Sequence, residues 1–297
     1  MTNVLVIGKH GQLGCCLQDE YNLNGCYDIE YYFKGRDELD ITSEESIEKA
    51  FSEMHYDYVV NCAAYTQVDK AEDDIENAEL VNAYAVKLLA EACAKNNSKF
   101  IHISTDYVFD GSSELKNEVS NTFPLQEYGL SKLNGEKEII NVGVKHHPNF
   151  KFMIIRTSWL YSKYRNNFVK TIYRKILQGE KFNVVYDQVG SPTSAHNLAN
   201  CILTIIERCE KGNPFVSGIY HYSDDGVISW YDFAKAIEEY IYPTDHDIVH
   251  PCLSTEFPSK TIRPKSSIWS KGKLRTTYGI EFMYWKKALN KVLYNLS

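Results

Sequence analysis

Short apolar runs alternate with amphipathic stretches over the first half of the chain. The apolar runs are rich in β-branched residues and carry few polar interruptions, which is typical of strands covered on both faces. The predicted strands are residues 4–7, 29–33, 58–64, 100–103 and 152–156. The predicted helices are residues 15–21, 44–54, 81–95 and 128–140, the second of them capped by Thr42 or Ser43. This alternation predicts an α/β fold with a doubly wound parallel sheet.

After residue 156 the segments become shorter and richer in turns. We predict a strand at residues 218–223, helices at residues 167–177, 195–209, 230–233 and 285–293, and loops at residues 187–193 and 263–267. We interpret Trp230 and Trp285 as core residues. Residues 157–297 are therefore expected to form a smaller, mixed α/β C-terminal domain, some segments of which return to the domain formed by residues 1–156.

Three glycines follow the first predicted strand. Gly8, Gly11 and Gly14 are spaced GxxGxxG, which differs from the GxGxxG of ordinary dehydrogenases. Between a strand and a helix, such glycines allow a tight turn and bring the backbone close to a pyrophosphate at the helix N-terminus. A purely structural turn is the alternative. The position favours dinucleotide binding, so residues 1–156 are predicted to be a Rossmann-type NAD(P)-binding domain and residues 157–297 mainly a substrate-binding domain.

The residues after the second predicted strand bear on the choice of cofactor. An acidic side chain at this place would hold the ribose 2′-hydroxyl of NAD. The chain instead has Lys34, Gly35 and Arg36. Two cations favour a 2′-phosphate, and hence NADPH over NADH, although an ordinary charged surface turn would look the same. Asp37 or Asp40 could also reach the adenosine end.

Tyr128 and Lys132 are the candidate catalytic pair. They are four residues apart, so on a helix both side chains leave the same face. A nearby ammonium favours a phenolate and is expected to lower the pKa of Tyr128 toward the working range. Thr105, at the end of a predicted strand, could complete a hydrogen-bonded cradle for a carbonyl oxygen. The alternative is that Tyr128 and Lys132 are an ordinary solvent-exposed pair on a helix without a catalytic role, because YxxxK spacing recurs by chance.

Composition excludes several classes of protein. The 297-residue chain has a net charge of -7 and no long basic run, which disfavours nucleic-acid binding. No apolar segment approaches the roughly 20 residues of a membrane span. Eight scattered cysteines without CxxC pairs indicate reduced thiols, so we expect a cytoplasmic protein.

Several motifs occur together in a familiar order. They read GKHGQLG, CAAYTQVDKAE, STDYVFDG, YGLSKLNGE, RTSWLY, DQVGSPT, SWYDFA and IRP. The chain closely resembles the extended short-chain dehydrogenase/reductases, and within them the dTDP-4-dehydrorhamnose reductases, nearly from end to end. The resemblance implies an NAD(P)H-dependent oxidoreductase that reduces the C4 keto group of dTDP-4-dehydro-L-rhamnose to dTDP-L-rhamnose.

The resemblance also implies roles for residues. Tyr128 would donate the proton, Lys132 would lower the pKa of that tyrosine and bind the nicotinamide ribose, and Thr105 would hydrogen-bond the keto oxygen. The cofactor contacts would be Gly8, Gly11, Gln12, Leu13, Asp40, Ile41, Ala63, Ala64, Tyr65, Thr66, Tyr128 and Lys132. The charges after the second predicted strand add Lys34 and Arg36 to this list. The substrate contacts would be Thr105, Asp106, Trp159 and, at the diphosphate, Arg263.

Two other functions remain open at this stage. One is a different nucleotide-sugar reductase or epimerase of the same branch. The other is a non-catalytic, cofactor-binding regulatory subunit, since this fold can serve binding alone. We expect a dTDP-linked 4-keto-6-deoxy sugar as the partner, no nucleic acid, no membrane, a monomer or homodimer, and no metal, because the tail KKALNKVLYNLS lacks carboxylates.

Overall fold

A central parallel sheet organises the chain. The computed structural model describes residues 1–24, 28–244, 246–257 and 259–296. Its strands are β1 Thr2–Ile7, β2 Ile29–Lys34, β3 Tyr58–Asn61, β4 Lys99–Thr105, β5 Phe152–Thr157, β6 Leu160–Tyr161, β7 Phe182–Val185, β8 Val189–Gly190, β9 Thr193–Ser194, β10 Gly218–Tyr222, β11 Ile228–Ser229, β12 Val249–Cys252 and β13 Ser266–Ser267. Six of them form the sheet in the order β2-β1-β3-β4-β5-β10, and every pairing is parallel. This confirms the predicted fold class.

Helices cover both faces of that sheet. The helices of the chain are α1 Gln12–Asn24, α2 Glu44–Glu53, α3 Val68–Ala71, α4 Ile75–Glu79, α5 Ala85–Lys95, α6 Glu127–Asn141, α7 Phe168–Gln178, α8 Ala195–Glu210, α9 Trp230–Ile241, α10 Gly272–Tyr278 and α11 Trp285–Tyr294. Of these, α7, α9 and α11 pack in a cluster away from the sheet. Leu17 of α1 and Ile202 of α8 share one buried cluster, whereas Phe51 of α2 and Leu89 of α5 belong to another. Within the described ranges, no helix has the length and apolar character needed to cross a membrane.

The second half of the chain contributes to the same sheet. Strand β10 pairs with β5, with Gly218 opposite Met153, and α8 packs beside α1. The remaining C-terminal elements gather around a third cluster that contains Phe233 and the buried Trp285, which confirms Trp285 as a core residue. The division into two domains at residue 156 stays a prediction.

Local hydrogen bonds explain where several elements begin and end. Ser43 caps α2 by accepting from the backbone N–H of Ser46, which decides between the two predicted caps. Strand β3 ends at Asn61, earlier than predicted, because the Asn61 side chain accepts from the N–H of Ala63 at 3.0 Å and turns the backbone away. The predicted helix at residues 81–95 begins as a π-helical segment, Leu80–Tyr84, before continuing as α5.

Two glycines let α6 approach its neighbours at backbone distance. A methyl group at Gly129 would overlap the backbone oxygen of Tyr107, and one at Gly135 would overlap the backbone oxygen of Asn82. Both obstacles are main-chain atoms, which cannot rotate out of the way. Only glycine therefore allows α6 to lie this close to the end of β4 and to the π-helical segment.

We predict that Gly135→Ala destabilises the protein by about 1–3 kcal/mol, the usual range for overpacking. The matched control is Lys137→Ala on the exposed side of α6, where a change of no more than about 0.5 kcal/mol is expected. Urea unfolding followed by circular dichroism measures both. Equal stability of the two variants would show that α6 can shift outward at no cost.

Candidate active site

A cavity of about 870 Å³ opens at the carboxyl edge of the sheet. Parallel strands all end at this edge, as the pairing of Thr105 with Thr157 and of Ile7 with Asn61 shows. The predicted site residues that line the cavity are Gly8, Gly11, Gln12, Leu13, Arg36, Asp40, Ile41, Ala63, Ala64, Tyr65, Thr66, Thr105, Asp106, Tyr128, Lys132, Trp159 and Arg263. The folded chain therefore brings together residues that span most of its length.

Lys34 is the predicted cofactor residue that does not reach the cavity. Its Nζ lies 3.8 Å from Oε2 of Glu53 at the end of α2. Only its backbone oxygen faces the glycine turn, where it accepts from the N–H of Gly8 at 3.0 Å. Of the two predicted cations, Arg36 alone lines the cavity, with its side chain 83% exposed.

The glycine turn has the geometry of an anion site. Gly8 has φ +89°, and a Cβ there would lie 2.8 Å from the backbone nitrogen of Ala63. A methyl group at Gly14 would overlap the backbone oxygen of Gly8. The turn therefore packs tightly against β3, and α1 begins at Gln12 with its N-terminus at the cavity. Free N–H groups and the helix dipole at such a terminus favour phosphate.

The Gln12 side chain makes hydrogen bonds to residues before α7. Its Oε1 accepts from Ser162 Oγ and from Asn167 Nδ2, both at 3.0 Å. The side chain thus ties the glycine turn to the loop before α7. Its Nε2 makes a long contact of 3.5 Å with the backbone oxygen of Leu160, so the side-chain NH₂ and the backbone N–H are the two donors of Gln12 that could reach a pyrophosphate.

Tyr128 is 9% exposed and packs edge-on against Tyr107, with 5.5 Å between the ring centroids. Burial raises the pKa of Tyr128 to about 12; the hydrogen bond with Thr105 acts in the opposite direction, and the charge of Asp106 raises the pKa further. The pKa of Tyr128 is thus raised in this structure, and Lys132 is not among the groups that shift it. The role expected for Lys132 in lowering this pKa during catalysis stays a prediction. The amino group of Lys132 is engaged elsewhere, and burial determines the result.

Lys132 is 2% exposed, and its Nζ donates to the backbone oxygen of Ile103 at 2.7 Å. The same Nζ lies 3.2 Å from Nε2 of His102, a fully buried side chain on β4. Burial lowers the pKa of Lys132 to about 8, although Glu136 and Cys62 act to raise it. Burial also lowers the pKa of His102 well below its usual range. Sequence reasoning missed His102, which looked like an ordinary strand residue.

Thr105 and Asp106 form a buried polar pair beside Tyr128. Thr105 Oγ1 donates to Asp106 Oδ1 at 3.1 Å and accepts from the N–H of Tyr107. The second carboxylate oxygen of Asp106 accepts from Ser267 of β13. Burial raises the pKa of Asp106 to about 6, against the hydrogen bonds from Ser267 and Thr105. The C-terminal half thus supplies a partner for this pair.

Glu136 fixes the far end of the helical face that carries the catalytic pair. It accepts two hydrogen bonds from Arg156, at 2.9 Å from Nε and 2.6 Å from Nη2, and both side chains are 2% exposed. Ser104 also donates to Glu136. Tyr128, Lys132 and Glu136 are spaced four apart, so the periodicity of the motif could have revealed this third member.

Two tryptophans also line the cavity. The rings of Trp159 and Trp230 are parallel within 10°, and their centroids are 3.5 Å apart. Trp159 has φ +47°, an uncommon backbone conformation for a large residue. Trp230 is half-buried and lines the cavity. Trp230 packs against the third cluster, as the interpretation of a core residue expected. Its place in the cavity lining was not foreseen, since a single aromatic residue gives no sequence signal for it.

Arg263 lies where the cavity meets a second one of about 470 Å³. Its Nη2 donates to Asp69 Oδ2 at 3.0 Å, and Thr261 donates to the other oxygen of Asp69 at 2.6 Å. The second cavity shares Phe168, Trp230 and Arg263 with the first. Its other cations and aromatic rings are Lys175, Lys260, Lys265, Phe182 and Phe257.

Comparisons with known proteins agree on one family. The model of the RmlD substrate binding domain matches residues 1–297. A dTDP-4-dehydrorhamnose reductase of Aggregatibacter actinomycetemcomitans is 35% identical, and the match covers 98% of each chain. The crystal structure of a dTDP-4-dehydrorhamnose reductase from Clostridium acetobutylicum is similar at a TM-score of 0.88, with 36% identity and 99% of both chains covered. A dTDP-4-dehydrorhamnose reductase from Bacillus anthracis, in complex with NADP, has the same TM-score at 34% identity and 100% coverage of both chains.

Proposed function

Because the chain belongs to the RmlD substrate binding domain family, we propose that it reduces the C4 keto group of dTDP-4-dehydro-L-rhamnose to dTDP-L-rhamnose with NAD(P)H. The observation that carries this proposal is that Tyr128, Lys132 and Thr105 line one cavity together with the glycine turn. A keto group bound in this cavity would lie in the same cavity as both the proton donor, Tyr128, and the cofactor.

The residues at the glycine turn fit a nicotinamide dinucleotide. The tight approach of Gly8 to Ala63 leaves the N-terminus of α1 open to a pyrophosphate, and Asp40 and Ile41 line the part of the cavity near Arg36. When bound, the cofactor supplies the hydride. The guanidinium of Arg36 is 83% exposed, and its Nε lies 3.8 Å from Oδ2 of Asp40. Exposed ion pairs of this kind are weak, so the guanidinium could turn to a 2′-phosphate, which supports a preference for NADPH.

Tyr128 supplies the proton in this proposal. Its raised pKa keeps the phenol protonated over the physiological range, which suits a general acid working in the direction of reduction. Thr105 can turn its hydroxyl proton from Asp106 to the keto oxygen and so stabilise the charge that develops on that oxygen. Lys132, held by the backbone oxygen of Ile103, keeps its amino group beside the tyrosine helix face.

The nucleotide of the substrate is assigned to the second cavity. Its lysines and Arg263 suit a diphosphate, and its aromatic rings offer faces on which a base could stack. Trp230 lines both cavities, and Trp159 lines the first and stacks on Trp230, so both rings would contact the sugar.

The two alternative functions are less well supported. A non-catalytic subunit has no need of a buried tyrosine and lysine aligned on one helix face, and both are retained. A different ketosugar reductase or epimerase would use the same groups, so the substrate itself must be tested. A location in the cytoplasm and the choice between monomer and homodimer stay predictions.

The first test offers the purified protein NADPH and dTDP-4-dehydro-L-rhamnose and follows the absorbance of the reduced nicotinamide. We expect turnover, and we expect Tyr128→Phe to lower kcat by about 100-fold or more while cofactor affinity is kept, because the proton donor is lost. Tyr84→Phe, at a tyrosine 49% exposed and outside the cavity lining, is the control and should behave as the unaltered protein. Full activity of Tyr128→Phe would exclude it as the acid.

The second test concerns the cofactor. Arg36→Ala should weaken NADPH binding by about 10-fold or more and leave NADH binding nearly unchanged, because only NADPH has the 2′-phosphate that the guanidinium would meet. Lys34→Ala removes a neighbouring cation whose side chain pairs with Glu53, and it should change neither affinity. An equal loss for both cofactors would contradict a phosphate contact at Arg36.

The third test concerns the nucleotide. Arg263→Ala should raise the KM for the dTDP-sugar by about 10-fold and leave NADPH affinity unaltered, since a charge-assisted contact to phosphate is lost. Arg275→Ala, at a guanidinium outside both cavities, is the matched control. An unchanged KM in Arg263→Ala would place the diphosphate elsewhere.

A further inference from the structure

The loop at residues 162–167 joins β6 to α7 and runs beside the glycine turn. Arg165 of this loop lines the first cavity together with Gly11. Its Nε donates to the backbone oxygen of His10, inside the turn. Burial raises the pKa of the Cys15 thiol in the first turn of α1, and the charge of Arg165 acts in the opposite direction. The guanidinium therefore lies near the N-terminus of this helix.

Contacts on both sides of Arg165 hold the loop against α1. Before it, the hydroxyl of Tyr164 donates to Asp19 Oδ1 at 2.8 Å, and after it, Asn167 Nδ2 donates to Gln12 Oε1 at 3.0 Å. Arg165 itself has φ +52°, in the left-handed region that side chains other than glycine rarely adopt. Such a conformation persists only where the surrounding structure fixes it. The position of Arg165 beside the glycine turn is therefore well determined.

The guanidinium of Arg165 has no acid partner in the described part of the chain. Two neighbouring cations do have one, since Lys9 of the turn pairs with Glu38 and Lys163 of the loop pairs with Asp19. The side chain of Arg165 is exposed, and only its Nε–H is needed for the contact with the turn. The outer nitrogens of the guanidinium can therefore face a ligand in the cavity.

A cation at this end of a helix is electrostatically unfavourable without an anion beside it. The dipole of α1 places partial positive charge at its N-terminus, which would repel the guanidinium. A negatively charged group in the cavity would be attracted by both. The free N–H groups of the helix and the outer nitrogens of Arg165 would then converge on the same anion.

We propose that Arg165 binds the pyrophosphate of the nicotinamide cofactor, together with the N-terminus of α1. The proposal rests on the proposed function, because it takes the first cavity to be the cofactor site. A guanidinium presents parallel N–H donors whose geometry matches phosphate oxygens. The contact would come from the second half of the chain, so that both halves would hold the cofactor.

The pyrophosphate is favoured over the 2′-phosphate by the partners of the loop. Arg36, after β2, is the residue proposed for the 2′-phosphate, whereas the loop that carries Arg165 is tied to Gln12 and Asp19 of α1. NADH and NADPH share the pyrophosphate. Arg165 should therefore strengthen the binding of both cofactors equally and contribute nothing to the choice between them.

Isothermal titration calorimetry of the full chain with NADPH and with NADH tests the proposal. Arg165→Gly removes the guanidinium and accepts the left-handed backbone without strain, so the variant should fold like the unaltered protein. We expect its affinity for both cofactors to fall by about 10-fold in about 0.1 M salt, because a charge-assisted contact is lost. In about 1 M salt the charges are screened, and the loss should shrink to about threefold or less.

Two control variants should bind both cofactors normally. Asn97→Gly makes the same backbone change at an exposed residue with φ +57°, and Arg275→Ala removes a guanidinium outside both cavities. A loss in Arg165→Gly for NADPH alone would place Arg165 at the 2′-phosphate, and an equal loss at both salt concentrations would indicate an effect on the loop without a charge contact. Either result overturns the proposal.

The experiment also separates this contact from the proposed function. Normal affinity of Arg165→Gly for both cofactors would overturn the contact and leave the proposed function intact. Failure of the unaltered protein to bind either cofactor would overturn both.

Discussion

The close approach of helix α6 to the sheet is the constraint on which the site depends. Gly129 and Gly135 allow backbone contact with Tyr107 and Asn82. At this distance the long side chain of Lys132 reaches the backbone oxygen of Ile103 on the strand beneath. Any larger side chain at the two glycines would move the helix outward and separate the tyrosine face from the ends of β3 and β4.

The general plan of the fold could be predicted from the sequence because its physical signals are local. A buried parallel strand requires a continuous apolar run, and the turn after β1 requires glycine where φ is +89°. The motifs then placed most of the site at one edge of the sheet. The contribution of β10 to that sheet was foreseen only in general terms, since pairing between residues 218 and 153 joins distant parts of the chain and leaves no trace in local spacing.

The parts of the site that could not be predicted are side-chain partnerships across elements. Lys34 and Arg36 look equivalent in the sequence, but β2 ends at Lys34 and a turn closed on the backbone oxygen of Gly35 follows it. The change of direction lets one cation meet Glu53 while the other lines the cavity. The pKa of Tyr128 was expected to be lowered from its spacing to Lys132. Spacing gives proximity along a helix, whereas the pKa depends on burial and on where the amino group makes its hydrogen bonds.

The two halves of the chain contribute different kinds of residue to the site. Residues that would move a proton, namely Thr105, Tyr128 and Lys132, all come from elements of the first half and are held by buried contacts. The second half supplies Arg263, whose guanidinium pairs with Asp69 of α3 across the cavity mouth. A diphosphate that bound through Nη2 of Arg263 would compete with Asp69 for this contact between the two halves. Recognition of the nucleotide and the arrangement of the cavity mouth are therefore physically linked. The same C-terminal segment also reaches the sheet edge, because Ser267, four residues after Arg263, donates to Asp106 beside Thr105.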